Sequence, residues 1–314
     1  MSLVAIDLGG TKLAIALYND QGEILDHEKI ALEKRIGNEV GLLIIDAIRI
    51  MMNKKSGGNV EAIGVAVPGI YHIRTGKVWA PNIPGWEDYP LLEELKNNFP
   101  GVHVAIDSDR ACYILGESWK GNAQRTKDAI YLAVGTGIGA GILTDGHILR
   151  GAQDIGGAIG WMALKPPFKD NYVQCGCFEN YASGEGIVKT TKRLLGENTQ
   201  YTGELKEPKN HTAAAIFRAY ANNDPIAKKV IHICVEFWGM ACANLISLFN
   251  PEKIIFGGGV FGPAISLIPE IKKEAAKWAQ PISMQQVTFE ASGIGNNAGL
   301  YGAARLAMKK TSTN

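Results

Sequence analysis

The feature that most constrains this chain is a unit that occurs twice: an apolar strand, a glycine turn, a second apolar strand, and a short turn into a third. It reads first as LVAIDL, GGT, KLAIALY, NDQG and EILDHEKIAL within residues 3 to 31. It reads again as AIYLAVGTGIGAGILTDGHILRG, where Gly135 takes the place of Gly9. Runs rich in Val, Ile and Leu that are punctuated by Gly clusters are strand-and-turn patterns. A recurring supersecondary unit predicts two similar halves, and 314 residues suit two packed domains better than one. No flexible linker or low-complexity segment separates them, so the halves are expected to share a cleft.

Helical spacing predicts a helix over 38–53, ended by KKSGGN, and a short helix in PLLEELKNNFP stopped at Pro100. Further helices are predicted in GIVKTTKRLL, HTAAAIFRAYAN, the long segment 225–249 and the closing NNAGLYGAARLAMKK. AIGVAVPG and PEKIIFGGGV read as buried strands.

Lys plus Arg number 32 and Asp plus Glu 31, a balance that gives no general electrostatic reason to bind nucleic acid or an anionic membrane. A small-molecule partner is expected instead. The five cysteines, Cys112, Cys175, Cys177, Cys234 and Cys242, are odd in number and sparse, which fits reduced thiols in a cytoplasmic protein. The start MSLVAIDLGG lacks the basic and apolar regions of a signal peptide, and no run reaches the roughly 18 apolar residues of a membrane span.

Three glycine turns follow apolar strands: GGTK at 9–12, GTGIGAG at 135–141 and GGGV at 257–260. A hairpin alone accounts for one of them, since glycine supplies positive φ. Glycines also let backbone N–H groups approach a phosphate, and Thr and Lys add a hydroxyl and a positive charge. GTGIGA satisfies G-x-G-x-x-A, but a dinucleotide site requires that motif to open a helix, and here the strand-like GILTDGHIL follows. No G-x-x-x-x-G-K-[ST] occurs, which excludes a P-loop.

In this order the three turns resemble the phosphate-1, phosphate-2 and adenosine segments of the sugar kinase, actin and Hsp70 superfamily. AIDLGGTK, GVAVPG, PNIPGW, IDSDRACYILGE, VGTGIGAGI, GCFE, IFGGGV and AGLYGAA together resemble the ROK family of bacterial sugar kinases over nearly the whole chain. The resemblance implies an α/β protein with two ribonuclease-H-like, actin-like ATPase lobes, each a mixed sheet flanked by helices. ATP with Mg²⁺ is the implied phosphoryl donor, bound between the lobes, and a sugar or polyol hydroxyl the acceptor. Residues 1–108 with 295–314 are expected to form one lobe and residues 109–294 the other. Gly9, Gly10, Thr11 and Lys12 are implied to face the β- and γ-phosphates, Gly135, Thr136, Gly137 and Gly139 to close on them, and Gly258 and Gly259 to lie against the adenosine. A homodimer is implied by the family alone.

Phosphoryl transfer needs in-line positioning, charge neutralisation and a group to receive the proton of the attacking hydroxyl. Asp107, after the strand VHVAI and before the helix DRACYILGESW, stands where the family carries its catalytic aspartate. A helix N-cap is the alternative role for it, one that Ser108 also fills. Asp7 is placed to hold Mg²⁺, or to brace its turn. Gly69, Asn82 and Glu179 match positions that approach the sugar in the family, though turn or surface roles explain them too.

The chain departs from the family at the sugar end. Its Glu-x-Gly-His motif is replaced by Ala158 and Trp161, and the Asn before the catalytic aspartate is Ile106. Each loss removes a polar partner for a polyol, at roughly 1 to 3 kcal/mol for a hydroxyl left unpaired. The family's structural zinc ligands are eroded as well: only Cys177 matches, with Asp170, Tyr172 and Trp161 in the other places and Cys175 displaced, so no zinc is expected. A glucokinase-like hexose kinase is the first expectation. A kinase of a cyclitol or substituted sugar, or a non-catalytic nucleotide- or sugar-binding member, is the alternative. A repressor with a winged helix ahead of the first strand is set aside, because the strand begins by residue 3.

Overall fold

Side-chain alternation along the opening strands assigns each residue to one of two sheet faces, and the computed structural model, which describes residues 2–54 and 59–308, follows it. The elements in order are β1 (Ser2–Leu8), β2 (Lys12–Tyr18), β3 (Ile24–Ala31), α1 (Asn38–Met52), β4 (Val60–Val67), β5 (Ile70–His72), β6 (Lys77–Trp79), α2 (Leu91–Asn98), β7 (His103–Ser108) and α3 (Asp109–Lys120). They continue with β8 (Ala129–Val134), β9 (Ile138–Thr144), β10 (His147–Ile148), α4 (Cys177–Ala182), α5 (Gly184–Glu197), α6 (Ala213–Ala221), α7 (Pro225–Phe249), β11 (Lys253–Gly257), α8 (Ile268–Ala275), α9 (Pro281–Gln286), β12 (Thr288–Ala291) and α10 (Ala298–Met308). Residues 55–58 of the KKSGGN stop, and Lys309 and Lys310 of the predicted closing helix, lie outside the described residues.

The described residues divide into two compact units, Met1–Arg125 with Arg150–Gly156 and Asn297–Asn314, and Thr126–Leu149 with Gly157–Asn296. The boundary expected near residue 108 therefore falls after residue 125. The physical reason is α3, whose Cys112 backbone lies against Gly302 of α10 and whose Trp119 ring meets Tyr301 edge-on at 6.0 Å. Each unit carries a five-stranded sheet, β3-β2-β1-β4-β7 in the first and β10-β9-β8-β11-β12 in the second. In both, the first three strands form an antiparallel meander and the last two run parallel to the first. The repeated unit in the sequence is thus a repeated sheet topology.

In the first unit Val4, Ile6 and Leu8 of β1 pack with α1 and α2 residues on one face, while Leu3 and Ala5 face α10. That second face is built of small residues: Ala62 and Ala66 on β4 meet Ala303, Ala304 and Ala307 on α10. The second unit has one continuous core, with Ile130, Leu132, Phe256, Phe178 and Trp238 buried against one another and against α7. Asp224 caps α7 by accepting from the N–H groups of Ile226 and Ala227, and Pro225 follows at the first helical position. Interrupted by Lys228, Lys229, His232 and Glu236, α7 is still long and apolar enough by composition to cross a membrane. Its most apolar window is 67% buried, so that apolar surface is used in packing.

Candidate functional site

Parallel strands deliver their carboxyl ends to one edge of a sheet, where α/β proteins place their ligands. In the first unit Asp7, Ala66 and Asp107 stand side by side in the register of β1, β4 and β7. Laterally paired residues share a face, so Asp7 and Asp107 lie on the α10 side with only an alanine between them, roughly 10 Å apart by strand spacing.

Asp107 is 4% exposed. One of its carboxylate oxygens accepts from the Ser108 N–H at 2.8 Å and the other forms an ion pair with the guanidinium of Arg150. Burial pushes its pKa above the usual carboxylate range, Arg150 and the Ser108 N–H pull it back, and Asp154 adds to the rise. The cap of α3 is Ser108, whose hydroxyl accepts from the Ala111 N–H, so that duty does not fall on Asp107. Sequence reading did not single out Arg150. It lies 43 positions away, after β10, and only the return of residues 150–156 to the first unit brings it to Asp107. The same segment is fixed by Asp154, which accepts from the Ile73 N–H at 3.2 Å. The buried Nε of Arg150 has no hydrogen-bond partner among the described residues.

Gly9 turns the chain by donating to the Lys12 carbonyl at 2.9 Å, and Gly10, Thr11 and Lys12 are exposed. A side chain on Gly10 would come within 3.1 Å of Asn82, which puts the PNIPGW loop beside this turn. Gly69 has φ +144°, and a Cβ there would meet the Trp79 carbonyl oxygen at 2.1 Å, so glycine is required by backbone packing.

Asp7 is half-buried beside Gly299 of α10, where burial, reinforced by Asp109 and opposed by Lys12, pushes its pKa up to about 7. Two neighbouring carboxylates that resist ionisation fit a hard divalent cation that keeps its waters and phosphate ligands, the way Mg²⁺ binds. The folded value lies above the ordinary 3.8, so the stability that comes from binding this proton is lost as pH rises toward and through about 7. Asp7→Asn is therefore expected to raise the melting temperature of the metal-free protein at pH 8 and to leave it little changed at pH 4. A thermal melt at each pH checks this.

In the second unit Glu179 is the organising side chain. It sits on the first turn of α4 and accepts from the Ile138 N–H at 2.7 Å, and a Cβ on Gly137 or Gly160 would run into its carboxylate. Burial raises its pKa, and the Ile138 N–H offsets part of that. Gly135 accepts from the Gly184 N–H at 2.8 Å, Thr136 is exposed, and Gly139 is buried within β9. Gly258 and Gly259 are exposed after β11, and Gly258 takes φ +87° against the Val134 backbone. Ala158 precedes the short 3₁₀ turn Ile159–Trp161, whose Trp161 is 57% exposed.

Around the eroded zinc positions, the Cys177 thiol is buried and directed at the Lys165 carbonyl, and the Tyr172 hydroxyl bonds that of Tyr181 at 3.1 Å. Among the described residues no group of three or more His, Cys, Asp or Glu is disposed to hold a metal. Cys112, Cys234 and Cys242 are buried core residues, their thiols held protonated by burial.

Two units with the same sheet order, each bearing a glycine hairpin between its first two strands, define the actin-like ATPase class of α/β fold. Within that class the chain belongs to the ROK family, whose model matches residues 3–310. It is 32% identical to a glucokinase of Halalkalibacterium halodurans over 98% of this chain and 95% of that protein. A xylose repressor of Caldicellulosiruptor bescii is 32% identical over 82% of this chain and 65% of the repressor. A ROK family glucokinase from Streptomyces griseus, solved with glucose and AMPPNP, superposes with a TM-score of 0.75 at 29% identity, covering 98% of this chain and all of that one.

Proposed function

We propose that this chain is an ATP-dependent sugar kinase in which Asp107 receives the proton of the attacking hydroxyl. The observation that carries the assignment is a buried carboxylate at the end of a parallel strand, released from capping by Ser108 and held in place by Arg150. The hydroxyl oxygen forms a bond to the γ-phosphorus as the bond to the β–γ bridging oxygen breaks, and the proton passes to Asp107. Arg150 pulls the pKa of Asp107 down against the effect of burial and fixes its orientation.

The exposed Gly10–Lys12 turn and the Gly135–Gly137 turn present backbone N–H groups suited to phosphate oxygens, and Gly258–Gly259 present a surface without side chains to the adenosine. Asp7 is the residue for Mg²⁺, which when bound neutralises charge on the triphosphate. Glu179, with Gly69 and Asn82, supports the sugar, while Ala158 and Trp161 make its surroundings more apolar than a glucose site; Ile106 is packed into the core of the first unit with α1 and α2. Glucose is the default acceptor, since a glucokinase is 32% identical to this chain over nearly the full length of both, and a glucokinase solved with glucose superposes on it.

The test is ATP consumption against a panel of hexoses, amino sugars and cyclitols. Turnover on at least one acceptor supports the assignment, whereas nucleotide or sugar binding without turnover on any would favour a binding protein. Arg150→Ala is expected to lower kcat/KM by about tenfold to a hundredfold. Asp107 must be ionised to act, so the rate rises with pH through its folded pKa. Removing the neighbouring cation moves that acid limb further up in pH, and a pH profile of wild type and variant checks the direction.

A further inference from the structure

The second unit carries an apolar groove of about 510 Å³ whose walls include Trp161, Pro166, Phe168, Tyr172 and Val173, with Lys165 the charged residue along it. Its aromatic rim is open: Phe168 is 70% and Val173 66% exposed. Below the rim the wall is ordered, with Phe168 edge-on to Tyr172 at 5.9 Å, Tyr172 hydrogen-bonded to Tyr181, and the Lys165 ammonium 5.1 Å from the Tyr181 ring centre. A volume of this size, mostly apolar with a single cation, suits a small organic group.

The groove shares Trp161 with the candidate acceptor residues. Gly160 has no side chain because Glu179 occupies that space, and a Cβ there would lie 2.9 Å from its carboxylate. The next residue, Trp161, is pressed on Gly176, where a Cβ would lie 2.5 Å from the Trp161 Cα. Gly176 leads directly into α4, which carries Glu179. One short segment therefore has the Glu179 carboxylate on one side and the groove on the other. Trp161, which stands at a candidate acceptor position, is itself a wall of the groove, so a sugar that rests on Trp161 has an apolar slot beside it.

We propose that the acceptor is a sugar bearing an aromatic or alkyl substituent, and that the groove from Trp161 to Val173 binds that substituent. This rests on the reading of Glu179 as a sugar-binding residue in a kinase. An aromatic ring laid on Trp161 and Phe168 leaves water, while the sugar keeps its polar end at Glu179. The Lys165 ammonium at the wall also favours the face of an aromatic substituent over a saturated polar one.

The experiment measures binding and turnover separately on the full chain. Titration calorimetry compares phenyl α- and β-glucosides and N-benzoylglucosamine with their small counterparts, the methyl glucosides and N-acetylglucosamine, for wild type, Phe168→Ala and Val173→Asp. At least one large-substituent ligand is expected to bind tenfold or more tightly than its counterpart, with the ratio falling to near one in both variants. The same ratio is expected in kcat/KM with ATP. Equal binding of large and small ligands in the wild type overturns the groove assignment while leaving sugar phosphorylation intact. No turnover combined with a variant-sensitive preference in binding overturns the kinase reading and leaves the groove assignment standing. A change of oligomeric state in sedimentation on Phe168→Ala would put a second copy of the chain in the groove and would also overturn the assignment.

Discussion

Asp107→Asn is expected to lower kcat by about 10²- to 10⁴-fold, the usual contribution of a positioned general base, with little change in the KM for ATP. Asn keeps the shape and one acceptor oxygen, so the Ser108 N–H retains a partner, but the amide cannot take a proton. The effect is large because Asp107 is nearly buried and held in one orientation by the Ser108 N–H and Arg150. Ser108→Ala is the matched control at the adjacent residue. It removes the cap on α3, costs about 1 kcal/mol of stability, and leaves the chemistry in place. Steady-state kinetics and thermal melts of both variants separate the roles. A near wild-type kcat in Asp107→Asn would reduce Asp107 to a structural anchor for Arg150 and remove the basis of the mechanism.

Strand and helix periodicity made most of the architecture legible. The two meanders were readable because glycine turns punctuate runs of Val, Ile and Leu, and α7 was readable because Asp224 and Pro225 announce its start. The short hairpin of β5 and β6 and the edge strand β12 were not found. Their three or four residues carry too little alternation to stand out, and they form only through pairing with neighbours. The candidate site divides in the same way. Asp107 was singled out by its resemblance to the family's aspartate between a strand end and a helix start, and Ser108 proved to be the cap. Arg150 and Asp154 were not, because their partners Asp107 and Ile73 are set by the path of the chain between units of the sequence that give no local signal. The groove was half legible. Trp161 was noted as a departure from the family, but its neighbours Phe168, Tyr172 and Val173 sit in a loop and a 3₁₀ turn without periodicity.

Gly302→Val is expected to destabilise the protein by about 3 kcal/mol or more, the upper part of the overpacking range, and to lower the melting temperature by about 6 to 12 °C at the usual 2 to 4 °C per kcal/mol. Gly302 lies on α10 where a Cβ would stand 1.8 Å from the backbone carbonyl oxygen of Cys112 on α3. Such an obstacle cannot rotate aside as a side chain can, so the helices must separate. Separation is costly because the opposite face of α10 is equally close: a Cβ on Gly64 of β4 would come within 1.9 Å of the Ala303 carbonyl. Helix α10 is therefore wedged between α3 and the sheet by small residues on both sides. It also carries Gly299, whose Cα lies against the Asp7 carboxylate, so a displaced α10 disturbs the phosphate end of the first unit too. The contrasting substitution is Gly196→Ala near the end of α5, an exposed position where a Cβ meets nothing within 4 Å. There the same loss of glycine is expected to stabilise by up to about 1 kcal/mol through helix propensity. Opposite signs in the two melts would locate the effect in the packing of α10, whereas a small shift in Gly302→Val would mean that α3 and α10 are free to move apart.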